Sequence, residues 1–168
     1  GRHVTQTASL LRYVGRRIGL YPNSVKSSED ILSCHRIDML IAAADELRDT
    51  NYGAAWGMSG MRMHYAKTSI HPHMANFTRL LGDNECFSPG GVALSVADFT
   101  VYDTLVVAEK QCPGVLAKYP TLARFVERIA ARPGIAKWNT SEMKGKMTAE
   151  QQPVVQPDGS AVKPEWEM

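Results

Sequence analysis

The chain is poor in the features that announce strands, membranes or metals. No segment alternates apolar and polar residues for long enough to make a strand, the short stretch 2–5 excepted. No apolar run approaches the roughly 20 residues that cross a bilayer, and the N-terminus resembles neither a signal nor a transit segment. Cys34, Cys86 and Cys112 are odd in number and scattered, with no metal or redox spacing, so a reducing compartment is the default. No Lys/Arg run suggests a polybasic patch, and a net charge of +2 is too small to argue for nucleic acid. The first residue is Gly rather than Met, so a natural start is expected upstream. That leaves the cytoplasm as the default location and an organelle open.

What is present is helical. The 168 residues are 44% hydrophobic and 21% charged, enough for one well-buried domain with or without an appendage. A first helix is expected from Thr7, with Leu11, Val14 and Ile18 on one face and Gly19 at its end. Ser27 and Asp30 have the spacing of a capping box, opening a long helix over 28–52 with Ile37, Ile41, Ala44 and Leu47 as its apolar stripe. Gly53, Gly57 and Gly60 interrupt or bend the next stretch. Pro72 is expected to start another helix, with Phe77, Leu80 and Leu81 inward, and 82–91 to be a loop. The segment 95–110 is apolar nearly all round, the mark of a central helix buried on several sides. Pro120 opens a helix with Leu122, Phe125, Val126, Ile129 and Ala130 inward. Pro133 closes it, and a short helix follows over 135–138. After Lys146 the composition changes: 151–168 holds Pro153, Pro157 and Pro164 and little periodicity, and reads as an extended tail.

Four stretches carry a resemblance in order and spacing. QTASLLRYVGRRIGLYP (6–22) resembles the last helix of the glutathione-binding domain in mu, pi and sigma class glutathione transferases. RIDMLIAAADELRD (36–49) looks like their first long helix, ALSVADFTVYDTL (93–105) like their central buried helix, and CPGVLAKYPTLARFVERIAARPGIAKW (112–138) like their last two core helices. The resemblance implies an all-α bundle with a remnant of a thioredoxin-like α/β domain in front. Residues 1–22 would end that glutathione-binding domain, 23–146 would form the helical C-terminal domain, and 147–168 the tail. Family members begin with a βαβ unit of about 60 residues, whose first strand leads to the Tyr or Ser that stabilises the glutathione thiolate. That unit has no counterpart here, and Tyr13 lies on the wrong helix to replace it.

The resemblance also implies a site. Gln6 and Thr7 would hold the γ-glutamyl carboxylate of glutathione at a helix start, where free amides and the positive dipole end favour an anion. The alternative is that Thr7 is only an N-cap. Glu46, with Asp45 and Asp49 nearby, falls where members place an acid reaching the partner subunit's glutathione, or else belongs to a solvated acidic face. Arg12 looks like a dimer-interface arginine; a plain salt bridge is the other reading. Trp56, Met58 and Met63, with Met61 and His64, fall where members line the pocket for an apolar cosubstrate, as adaptable aromatic and Met side chains suit; ordinary packing is the alternative. Ser95 and Asp98 read as a second capping box, flanked by Leu94 and Phe99 as a hydrophobic staple. His71 and His73 flank a proline without a third ligand, which argues for a turn rather than a metal site.

Two function classes remain open on this reading. One is glutathione conjugation, or glutathione-dependent isomerisation, of an apolar electrophile by a homodimer. The other is a non-catalytic structural or binding subunit of a larger assembly, a use the sigma class has in lens crystallins. For the latter, Trp166 in the tail would anchor a partner; otherwise the tail lies in solvent or folds back over the domain.

Overall fold

The computed structural model describes residues 5–88, 93–147, 153–156 and 158–163. Eight α-helices are found there: α1 Thr7–Arg17, α2 Ser28–Ala55, α3 Ser59–His64, α4 Ile70–Leu81, α5 Val96–Gln111, α6 Pro120–Ala130, α7 Pro133–Asn139 and α8 Glu142–Met147. A π-helical turn, Tyr65–Ser69, joins α3 to α4, and a 3-10 turn, Leu116–Lys118, precedes α6. Among the described residues the nearest approach to a strand is an isolated antiparallel bridge between Val155 and Ala161. Most of the stretch 2–5 lies outside them.

The long helix α2 starts where its capping box does. The Asp30 amide donates to Ser27 Oγ at 3.1 Å, and the Asp30 carboxylate accepts from the Ser27 amide at 3.0 Å. Its buried residues Ile37, Leu40, Ile41, Ala44 and Leu47 fall at i, i+3, i+4, i+7 and i+10, and face α5. Helix α5 is buried around most of its circumference. Thr100 and Thr104 sit in the core because each hydroxyl donates back to the carbonyl four residues earlier, Val96 and Thr100, both at 2.9 Å. From α6, Leu122, Phe125 and Ile129 complete the core. Phe87 meets Phe77 and Phe125 edge to face, at 6.0 and 5.0 Å between ring centroids, which pins the segment after α4 to the bundle.

Three expectations need correction. On α1 the inward face is Ala8, Leu11 and Gly15, while Val14 and Ile18 are 47% and 62% exposed. Gly15 is the reason: a Cβ there would stand 3.1 Å from Tyr21 Cβ and 3.3 Å from Val96 Cβ, so α1 packs through its smallest residue and its larger aliphatics turn away. Second, Pro72 does not start a helix. Residues 59–81 form one rod, and Pro72 is the third residue of α4. The π turn just before it, closed by the Ile70 amide on the Tyr65 carbonyl, widens the helix where the proline lacks an amide to continue the ladder. Third, in its described residues the tail is not extended throughout but folds back over the domain, the alternative reading. Val154 and Val155 are buried, and the Val154 amide donates to the Gln111 carbonyl at the end of α5, 2.9 Å away. Helix α8 has no counterpart among the expected helices. Trp166 lies outside the described residues.

Candidate functional site

At the start of α1, Gln6 has φ 71 and ψ 122, the one non-glycine residue with positive φ among those described. Such a backbone costs about 1–3 kcal/mol and persists where the surroundings or a ligand demand it. Its side chain makes no cap bond to the helix. Gln6 and Thr7 are both exposed. The first turn of α1 has no acidic residue, and the last turn carries Arg16 and Arg17. The amide end is therefore electropositive, with no carboxylate in its first turn, a geometry suited to an anion.

Arg12, one helical turn and a half further on, is held within the chain. Its Nε donates to Asp38 on α2 at 2.7 Å, and the Tyr21 hydroxyl donates to the same carboxylate oxygen at 3.0 Å. Burial, with the Asp38 carboxylate beside it, pushes the Tyr21 hydroxyl up to about 12. Arg16 stacks over the Tyr21 ring at 4.6 Å. This cluster welds α1 to α2 and so fixes where the Gln6–Thr7 end points. Glu46 is exposed on α2, its backbone carbonyl accepting the Thr50 hydroxyl; Asp45, half-buried, is paired with Arg48.

The corner between α2 and α3 carries the apolar candidates. Trp56 and Met58 are 53% and 59% exposed there, and the Tyr52 and Trp56 rings lie 6.1 Å apart. Met63 is half-buried on α3. A cavity of about 340 Å³ is lined by Thr50, Gly53 and Ala54 of α2, Gly60, Met61 and His64 of α3, and Tyr65 and Ser69 of the π turn. Trp56, Met58 and Met63 are not in its wall. Four of its residues were not singled out by sequence: Thr50, Ala54, Tyr65 and Ser69. The Tyr65 hydroxyl donates to Asn51 Oδ1 inside the bundle, and burial raises its pKa. Arg62, also missed, is buried between the corner and the C-terminal segment. The only sequence signal for it is an arginine set between two methionines on a six-residue helix.

Ser95 and Asp98 are a structural pair. Asp98 is fully buried and accepts from the Ser95 amide at 2.8 Å and the Ser95 hydroxyl at 2.9 Å, within the capping box that begins α5. It also accepts from the Phe87 amide at 2.6 Å and the Ser88 hydroxyl at 3.3 Å. His71 Nδ1 lies 2.9 Å from the Tyr119 hydroxyl, linking α4 to the start of α6.

Comparison with known proteins places this geometry. Residues 57–142 match the family described as glutathione S-transferase, C-terminal domain. Glutathione S-transferase P of Homo sapiens is 30% identical over 138 residues, covering 76% of this chain and 59% of the relative. The Pongo abelii protein of the same name gives the same figures. Glutathione S-transferase P 1 of Xenopus laevis is 30% identical over 145 residues, 84% of this chain and 65% of the relative. Among solved structures, a Pi-class glutathione S-transferase of Onchocerca volvulus superimposes with TM-score 0.71 at 21% identity, over 95% of this chain and 72% of that one. Prostaglandin synthase D of Nilaparvata lugens gives 0.71 at 16%, over 84% and 70%. The two structures speak for the fold alone. The chain belongs to the glutathione S-transferase family, and its fold is the all-α bundle of that family. It spans about 59% of the length of the mammalian relatives it matches.

Proposed function

We propose that the chain serves a glutathione transferase, as its helical C-terminal domain with the last helix of the glutathione-binding domain in front. The domain limits are 1–22, 23–146 and 147–168. The observation that carries this is the strained backbone of Gln6 at the open, electropositive end of α1. In that role Gln6 and Thr7 receive the γ-glutamyl carboxylate of glutathione, and Glu46 reaches the glutathione of the neighbouring protomer in a homodimer. Trp56, Met58 and Met63 form the apolar side that takes an electrophile or isomerisable substrate. The hydroxyl that lowers the thiol pKa is supplied from a preceding thioredoxin-like half.

Thr7→Ala in the full-length protein tests it. The glutathione KM should rise more than kcat falls, because the contact lies far from the sulfur. A fall in kcat with KM unchanged would place Thr7 in the chemistry and sink the assignment.

A further inference from the structure

Residues 154–156 and 158–162 are the two arms of a short hairpin docked on the bundle. The Val162 amide donates to the Val154 carbonyl at 3.0 Å, and the Gln156 amide to the Ser160 carbonyl at 2.7 Å. Asp158 closes the turn by accepting from the Ser160 amide at 2.9 Å and its hydroxyl at 2.7 Å. One end of the hairpin hangs on α5, through the Gln111 carbonyl. Opposite Val154, the second arm is gripped by Arg62, which is 7% exposed and donates to three carbonyls: Val162 at 2.9 Å, Gly57 at 3.0 Å and Ala55 at 2.7 Å.

Those three acceptors belong to two places. Ala55 and Gly57 are carbonyls at the end of α2, of the kind that a cation satisfies best. Val162 belongs to the hairpin. One guanidinium thus closes the α2–α3 corner and holds the C-terminal hairpin against it. Its planar fork suits this task in a way that a lysine's single point charge does not. Helix α3 is only six residues long. Its other side, Gly60, Met61 and His64, walls the 340 Å³ cavity.

We propose that the hairpin is a latch on α3, and that Arg62 is the positioning residue through which its docking sets the cavity wall and the Trp56–Met58 corner. Its bearing on an apolar cosubstrate rests on the function proposed above; the latch itself does not. A docked hairpin holds α3 in one place and the cavity in one shape. A released hairpin takes the Val162 acceptor away from Arg62 and leaves α3 free to shift against α2.

The test uses the full-length protein and two readouts that need no glutathione: hydrogen exchange resolved by segment, and binding of the apolar dye 1-anilinonaphthalene-8-sulfonate. Val162→Pro removes the amide that pairs with Val154 and leaves Arg62 intact. Arg62→Met keeps the stem and removes the fork. Both variants should speed exchange about tenfold or more in 154–162, the effect of losing one or more such bonds. Both should also speed exchange across 58–64 and change the dye affinity severalfold. Arg62→Lys should restore little of this. Faster exchange confined to 154–162, with 58–64 and the dye unchanged, would reduce the hairpin to an appendage and overturn the proposal. If Arg62→Met does not fold, Val162→Pro decides alone. Glutathione affinity, measured in parallel by calorimetry, separates the two ideas: its loss in Thr7→Ala and retention in Val162→Pro is the pattern expected if both hold.

Discussion

Asp98 accepts the backbone amide of Phe87 at 2.6 Å, so the carboxylate that caps α5 also holds the segment in front of it. Phe87 in turn wedges between Phe77 and Phe125. One buried side chain therefore connects a helix start, a loop and an aromatic core. Asp98→Ala strands the Phe87 and Ser95 amides in a place without water. The expected loss is about 2–4 kcal/mol, more than an exposed cap contributes. Asp98→Asn should recover part of it. A urea melt of Asp98→Ala unchanged within error would refute this account.

Gln6 is expected to separate stability from binding. Gln6→Gly relieves the positive φ, since glycine adopts it without a steric penalty. The melting temperature should stay level or rise, while glutathione affinity in the full-length protein falls. A fall in both would mean that the conformation is supported by the fold and not by a ligand.

The three thiols should differ in reactivity. Burial, with the Glu109 charge nearby, pushes the Cys112 thiol up to about 12, and burial raises Cys86 too. The thiolate is the nucleophile, so both should resist a disulfide reagent at pH 8. Cys34, partly exposed, should be labelled first. Labelling of Cys112 ahead of Cys34, followed by mass spectrometry, would contradict the packing at the end of α5.

Alkaline pH should loosen α1 from α2. The folded chain holds the Tyr21 proton more tightly than the unfolded chain does. Its contribution is therefore complete below about pH 10 and is lost as the pH rises towards 12. Urea midpoints measured from pH 9 upward should fall more steeply in the wild type than in Tyr21→Phe.

The 168-residue chain by itself should not conjugate glutathione to an aryl halide above background, because the function proposed above takes the thiol-activating hydroxyl from a preceding thioredoxin-like half. Turnover by the isolated chain would show that the activating group lies inside it.

Much of the fold was legible because its signals are local. The Ser27–Asp30 spacing marks the start of α2, Pro120 marks α6, and the all-round apolarity of α5 marks the centre. What escaped depends on geometry that spacing does not carry. On α1 the apolar stripe named Val14 and Ile18, yet a close approach through Gly15 decided which face turned inward. Along 59–81 the buried positions run Arg62, Tyr65, Ile70, Met74, Phe77 and Leu81. The step of five from Tyr65 to Ile70 is the π turn, and it breaks the 3.6 period that would have shown one rod. The start of α1 at Thr7 was legible; the backbone strain at Gln6 was not, since no residue type announces a positive φ at glutamine. Arg62 was overlooked because its partners are carbonyls 5, 7 and 100 residues away, which have no sequence identity to notice.

The π turn also has a mechanical meaning. Beyond it, α4 is bolted down by Met74, Phe77 and Leu81 in the core; before it, α3 is tied to its surroundings through the Arg62 guanidinium and the close approach of Gly57 to Met61. The wider ring between them has poorer contact along its axis than an α-helical turn. With α4 fixed in the core and α3 held at one guanidinium, a displacement of one half of the rod relative to the other has to be taken up at 65–69.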